Sequence, residues 1–288
     1  MTSIILPDGV NIASLLRAPK NKKIIIEDFD ARSTPGVKTG KKHAVKRIAG
    51  LAKPLSEMQE RLWAAGRESD EANRVLVVLQ GMDTSGKGGV VRHVFGLVDP
   101  QGIQLKAFKA PTPEELSHDF LWRIKKEIPR PGMIGIFDRS HYEDVLIVRV
   151  NELVPIDEWQ KRYALINEFE EELAANGTTI IKCFLNVSYE KQRERLLERL
   201  SDPAKYWKYN PGDIDVRKKW SAYMQAYSDA ITNCNTDFAP WYIIPADRKW
   251  YRNWAIARIL YEHLRAQKLG WPKADFDVAE EIQRVKSS

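Results

Sequence analysis

Residues 74–94 read RVLVVLQGMDTSGKGGVVRHV, and this stretch decides the fold. Positions 75–79 are apolar without a break, which marks a strand buried on both faces rather than one lying half in water. The run Gly81-Met82-Asp83-Thr84-Ser85-Gly86-Lys87-Gly88-Gly89 follows at once, and a helical pattern over 90–98 follows that. Strand, then G-x-x-x-x-G-K, then helix is the arrangement that cradles phosphate. Gly81, Gly86, Gly88 and Gly89 let backbone N–H groups point inward around Thr84 and Ser85, while Lys87 reaches the outer phosphates. The plainer alternative is a glycine-rich turn with no ligand.

Four more short apolar runs stand at 104–108, 133–137, 179–185 and 241–244. Helical patterns separate or follow them at 113–127, 156–175, 189–200, 216–233 and 250–267. Buried strands alternating with helices imply a parallel sheet covered by helices, the α/β class, in a single domain. Upstream, Leu55, Met58, Leu62 and Trp63 predict a first helix over 53–65. Residues 1–48 read as an irregular extension, with turn signals at Ser33-Thr34-Pro35-Gly36 and Thr39-Gly40. No internal repeat is visible.

Composition narrows the class. The 288 residues are 43% hydrophobic, and no apolar run approaches the ~20 residues of a membrane helix. The start, Met1-Thr2-Ser3-Ile4-Ile5-Leu6-Pro7-Asp8, has no basic leader, so a soluble cytoplasmic protein is expected. Two cysteines, Cys183 and Cys234, are too few for a disulfide framework and fit a reducing compartment. Lys and Arg number 45 against 39 Asp and Glu, and the whole excess of six falls in residues 1–47, with ten bases and four acids. Such a segment is either a solvated arm or a lure for a polyanion.

The loop departs from its usual pattern at one position. A Ser or Thr that binds Mg²⁺ normally follows the lysine, and here Gly88 stands there. Asp83, inside the loop, is a substitute ligand, since a bridging Mg²⁺ turns its repulsion of phosphate into attraction; otherwise it caps the loop. The run at 133–137 ends in Asp138-Arg139, placing a carboxylate at the edge where a parallel sheet collects its ligands. Asp83 and Asp138 suffice for Mg²⁺, which also takes phosphate oxygens and water. Arg139 is read as a clamp on a transferring phosphoryl group or as an ion pair within the fold. Glu143 and Asp144 are read as site residues or as acids at a helix N-terminus. The five histidines show no metal pairing. Lys191, Arg195 and Arg199 form a stripe leading into SDPAKYWKYNPGD at 201–213, which contains Lys208. That stripe is either solvated helix surface or the lid of a small kinase.

Five stretches together resemble the family-2 polyphosphate kinases of the P-loop kinase group. They are GMDTSGKGG (81–89), KAPTPEELSHDFLWR (109–123), FDRSHYEDV (137–145), RLSDPAKYWKYNPGD (199–213) and APWYIIPAD (239–247), while residues 1–48 lie outside the resemblance. It implies a three-layer sandwich with a mainly parallel five-stranded sheet, a kinase domain over 49–288 and a helical lid at about 189–219. It also implies Mg²⁺-dependent, reversible phosphoryl transfer between inorganic polyphosphate and nucleotides (AMP, ADP, ATP). By resemblance Asp83 and Lys87 take the loop roles, Asp138 and Arg139 the second-strand roles, and Arg195, Arg199 and Lys208 the lid roles. Glu143-Asp144-Val145 after Tyr142 resembles members that use both AMP and ADP, whereas single-nucleotide members tend to carry Asn in place of Glu143. A homo-oligomer, dimer or tetramer, is implied, with no nucleic acid and no membrane as partner. Two other readings stay open: a P-loop kinase using ATP on another small acceptor, and a polyanion-binding module with a vestigial loop.

Overall fold

The five apolar runs form one sheet: β1 (Arg74–Gln80), β2 (Ile103–Ala107), β3 (Ile134–Asp138), β4 (Thr178–Asn186) and β5 (Trp241–Pro245). The computed structural model, which describes residues 11–37 and 41–288, orders them β2-β3-β1-β4-β5, all parallel. β1 is central. Its Val77 lies opposite Ile136 of β3 and Ile181 of β4, and residues 75–79 are at most 1% exposed. Each such side chain contributes about 1.5–3 kcal/mol on burial.

Helices α1 (Ile12–Leu16), α2 (Lys41–Glu68), α3 (Lys87–His93), α4 (Pro113–Leu116), α5 (Trp122–Lys125) and α6 (Ile147–Val150) come first along the chain. Helices α7 (Ile156–Ala175), α8 (Tyr189–Leu200), α9 (Gly212–Lys218), α10 (Trp220–Asn233), α11 (Lys249–Ala266) and α12 (Val278–Ser287) complete the described set. α2, α3 and α11 pack together in one layer, and α6, α7 and α10 in another. Right-handed crossovers explain this, because the step from β1 out to β2 runs opposite to the later steps toward β5. Two expected helices are each broken in two. The 113–127 pattern divides into α4 and α5 around Asp119, whose side chain accepts the Leu121 N–H (3.0 Å). The 216–233 pattern starts earlier and breaks at Lys219.

The largest difference from expectation lies at the N-terminus. α2 begins at Lys41, not near residue 53, and carries Pro54 inside it, although proline cannot donate to the carbonyl four residues back. Residues 11–37 are not a solvated arm. The Ala18 N–H donates to the Trp241 carbonyl (2.8 Å), and Arg17 bridges antiparallel to Tyr242, so the chain covers the outer edge of β5. The Glu262 carboxylate accepts the N–H groups of Ile12 (3.1 Å) and Ala13 (2.9 Å), and at the other end of the segment Asn186 donates to the Phe29 carbonyl (2.8 Å). Ile12, Leu16, Ile24 and Ile26 join the main core, while Lys20, Lys22 and Lys23 face water. A charge count sees the lysines and misses the isoleucines between them. The turn read at Thr39-Gly40 and the leaderless start at Met1 to Asp8 lie outside the described residues. No helix among those described is long and apolar enough to cross a membrane.

Ile26 is 2% exposed, so Ile26→Ala is expected to lower the unfolding free energy by about 2–5 kcal/mol. Urea denaturation checks this, with Lys22→Ala as the exposed control, and a loss below about 0.5 kcal/mol would return the segment to the surface.

Candidate active site

Beyond β1 the chain turns at Gly81, where φ is +144° and a Cβ would stand 2.8 Å from the Leu185 carbonyl oxygen. Glycine alone fits that turn. Lys87, 8% exposed, folds back over the loop and donates to the Gly81 carbonyl (2.8 Å). Thr84 holds φ +64°, a strained value for a β-branched residue. The buried hydroxyls of Thr84 and Ser85 find no partner among the described residues. At Gly88 a Cβ would meet nothing within 4 Å, so the space of the usual Ser or Thr is open.

The ladder sets Asp138 opposite Leu79 of β1 and Ala107 of β2. Next to it Arg139, at φ +66°, donates its N–H to the Leu79 carbonyl (3.0 Å) and its guanidinium to Asp83 (2.9 Å). The ion-pair reading of Arg139 is therefore realised, and it joins the loop to the third strand. The capping reading of Asp83 is not, since no backbone N–H among the described residues donates to its carboxylate. Burial works against the Arg139 charge, but Glu143 and then Asp83 outweigh it and hold its pKa above the usual arginine value. Glu143 is half-buried behind this pair, with its Oε1 3.0 Å from the Gln80 amide nitrogen when that amide is turned to accept from Ser140. Burial raises the Glu143 pKa against the pull of Arg139 and Lys87.

His141 and Tyr142 lie under the same turn. His141 Nε2 and the Tyr142 hydroxyl both meet Glu170 (3.2 and 2.9 Å), and Lys182 donates to Glu170, to the Tyr142 hydroxyl (2.8 Å) and to the Cys234 carbonyl (2.7 Å). All four side chains are at most 1% exposed. His141 is thus a structural member of a buried network. Asp144 stands in the first turn of the short helix over His141–Val145 and also pairs with Arg162 (2.9 Å).

A cleft of about 1050 Å³ opens over the loop, lined by six lysines and five arginines against three acidic residues. Among the expected residues Asp83, Thr84, Gly86, Lys87, Gly88, Gly89, Asp138, Arg139, Arg195, Arg199 and Lys208 line it; Gly81, Ser85 and Glu143 lie behind. Arg195 is not a loose lid group. Only 5% exposed, it donates to the carbonyls of Thr84 (2.9 Å), Ser85 (3.2 Å), Ala246 (2.6 Å) and Asp247 (3.0 Å), clamping the loop to the end of β5. Arg199 closes the 201–213 segment by donating to the Lys208 carbonyl (2.6 Å) and to Asp213 (3.1 Å). Lys208 stands over the Trp207 ring (4.8 Å). Lys191 pairs with Glu194 on the outer side, so the basic stripe splits between interior and solvent. Asp213 and, on α11, Lys249, Arg252 and Asn253 escaped the sequence reading. Arg252 carried one signal, a charge set among the apolar residues of a buried helix.

No group of three or more His, Cys, Asp or Glu among the described residues is arranged to enclose a metal. Asp83 and Asp138, both facing the cleft, are two hard oxygen donors. That number suits Mg²⁺, which keeps water and phosphate oxygens as its other ligands.

Comparison with known proteins gives a consistent pattern. The family model for polyphosphate kinase 2 (PPK2) matches residues 38–270, so it takes in the last eleven residues, 38–48, of the stretch whose sequence suggests an extension. An AMP/ADP-polyphosphate phosphotransferase of Meiothermus ruber is 45% identical over 259 residues, 90% of this chain and 95% of that one. An ADP-polyphosphate phosphotransferase of Rhodopseudomonas palustris is 37% identical over 269 residues, 89% and 91% of the two chains. The crystal structure of polyphosphate kinase 2 from Arthrobacter aurescens TC1 superposes with a TM-score of 0.93 at 48% identity, covering 97% of this chain and 98% of that one.

Asp213 gives the site a pH signature. Burial, then the Asp83 charge, push its pKa up to about 6 against Arg199 and Arg139, whereas an unfolded chain has about 3.9. The folded protein holds the proton more tightly, so this contribution is complete below about pH 4 and is lost as pH rises through 6. Relative to Asp213→Asn, the wild type should lose up to about 3 kcal/mol between pH 4 and pH 7. Urea unfolding of both proteins across that range measures it, and parallel curves would show that Asp213 titrates normally.

Proposed function

Because the chain belongs to the polyphosphate kinase 2 family, we propose that it moves the terminal phosphoryl group of inorganic polyphosphate reversibly to both AMP and ADP. The observation that carries the reading is the surplus of lysine and arginine around a phosphate loop in one cleft, an environment for a long polyanion. Both possible acceptors end in an anionic phosphate, so the reaction needs no general base. Positioning and charge neutralisation do the work.

The loop N–H groups and Lys87 bind the donor phosphates, the lysine exchanging the Gly81 carbonyl for a phosphate oxygen. Arg139 leans from Asp83 toward the transferring group, and Arg199 with Lys208 approach from a lid that we place at about 189–219. Asp83 and Asp138 would hold Mg²⁺, which when bound would neutralise charge developing on the phosphate oxygens. Unlike a hydroxyl ligand after the lysine, Gly88 supplies nothing, and the open space beside it leaves room for the Asp83 carboxylate to serve instead. Glu143, behind Arg139, tunes how the acceptor phosphate is received. A cytoplasmic homo-oligomer, dimer or tetramer, completes the proposal.

Incubation with polyphosphate and Mg²⁺, followed by nucleotide separation, should give ADP from AMP and ATP from ADP; absence of either product would confine the enzyme to one acceptor. Asp83→Asn and Asp138→Asn are each expected to lower turnover by about 10²-fold or more with the fold intact. Near-normal turnover at saturating Mg²⁺ would remove that residue from the metal site. Glu143→Asn should change the ratio of AMP to ADP turnover, and an unchanged ratio would leave nucleotide choice elsewhere.

A further inference from the structure

Two guanidinium groups lie under the phosphate loop, Arg195 from α8 and Arg252 from α11, 5% and 3% exposed. Arginines so buried ordinarily face a carboxylate. Every hydrogen-bond partner of Arg252 is neutral: Nη1 donates to the Ser85 carbonyl (3.0 Å), while Nε and Nη2 donate to Asn253 Oδ1 (3.1 and 2.8 Å). Burial, and then the positive charge of Arg195, bring the Arg252 pKa down to about 9. Its strongest charged neighbour is another cation.

The guanidinium also lies against the two glycines of the loop that flank Lys87 and Gly88. A Cβ on Gly86 would stand 1.7 Å from Arg252 Nη1, and one on Gly89 2.7 Å from Nη2. Arg252 holds the Ser85 carbonyl and, with Asn253, also lines the cleft. Nothing inside the protein neutralises the charge among the described residues, and the cleft above carries an excess of the same sign. A counter-charge has to come from what the cleft binds.

We infer that Arg252 is a further phosphate-binding residue, a buried cation whose counterion is the polyphosphate chain seated on the loop. This rests on the polyphosphate reading of the cleft. It has a consequence that a bracing role lacks: the charge opposes folding while the cleft is empty and favours it once a phosphate chain is bound. Affinity and empty-state stability should therefore respond to its removal in opposite directions.

The test uses the full chain with Arg252→Met and Arg252→Lys. Titration calorimetry with inorganic tripolyphosphate and Mg²⁺ gives affinity, steady-state kinetics give separate KM values for polyphosphate and ADP, and urea unfolding without phosphate gives stability. Arg252→Met is expected to bind tripolyphosphate at least tenfold more weakly and to raise the polyphosphate KM. Its KM for ADP should stay within twofold, and its urea midpoint should be unchanged or higher. Arg252→Lys, which keeps the charge, should recover most of the affinity. Wild-type affinity in Arg252→Met would overturn the inference, and so would a lowered urea midpoint, failure to fold, or an equal rise in both KM values, each of which marks a brace. A wild type that does not bind tripolyphosphate would instead bring down the polyphosphate reading itself.

Discussion

The site hangs from the parallel pairing of β1 with β3. That ladder fixes Leu79 opposite Asp138, and the Leu79 carbonyl receives the Arg139 N–H. Asp83 and Arg139 consequently leave the sheet side by side and meet at 2.9 Å. A slip of one residue would turn every side chain of β3 to the opposite face, carrying Asp138 into a helix layer. The slip is opposed by side chains buried on both faces, so the position of the Asp138 carboxylate is set by valines and isoleucines well away from it. On the other flank β4 closes against the loop through the Leu185 carbonyl beneath Gly81. The phosphate loop thus sits where the sheet order reverses direction around β1, the place where open parallel sheets collect ligands.

A second set of constraints acts from below. Lys182 of β4, Glu170 of α7 and the His141-Tyr142 pair form a charged network closed to water. Burying an ion pair contributes little net stability, but an arrangement this fully hydrogen-bonded is costly to rearrange. It fixes the turn that carries Arg139 in its left-handed conformation and holds Glu143 behind it. The segment that carries α9 is tied in as well. Arg217 donates to Gln192 (2.8 Å), and Gln192 donates to the Asp83 carbonyl (3.1 Å), so α9 reaches the loop through two side chains.

The sheet and the loop were legible in the sequence because each is a local pattern: four short runs apolar on both faces with a fifth, more polar one at the sheet edge, and glycines at fixed spacing about a lysine. The roles of Arg195 and Arg199 were less so. Spacing places Lys191, Arg195 and Arg199 on one stripe, but the partners that divide them are carbonyls about 50 and 110 residues away in sequence for Arg195. Arg252 is harder still, since its contact with Ser85 spans 167 residues and involves backbone atoms that every residue possesses. At the N-terminus the obstacle was compositional. Lysines that merely face water dominated the charge count, and the alternation Lys23, Ile24, Ile25, Ile26 that seats two isoleucines in the core was too short to stand out.

That same segment bears on the order in which the molecule is completed. Residues 17 and 18 close the edge of a strand some 220 positions later in the chain, so on a ribosome this segment emerges long before the strand it covers. Until β5 has been made, Ile12, Leu16, Ile24 and Ile26 have no core to enter, and until they arrive β5 presents an unpaired edge open to another chain. The nascent protein therefore passes through an interval in which both halves of one contact are sticky, making that interval the window for chaperone engagement or for edge-to-edge aggregation.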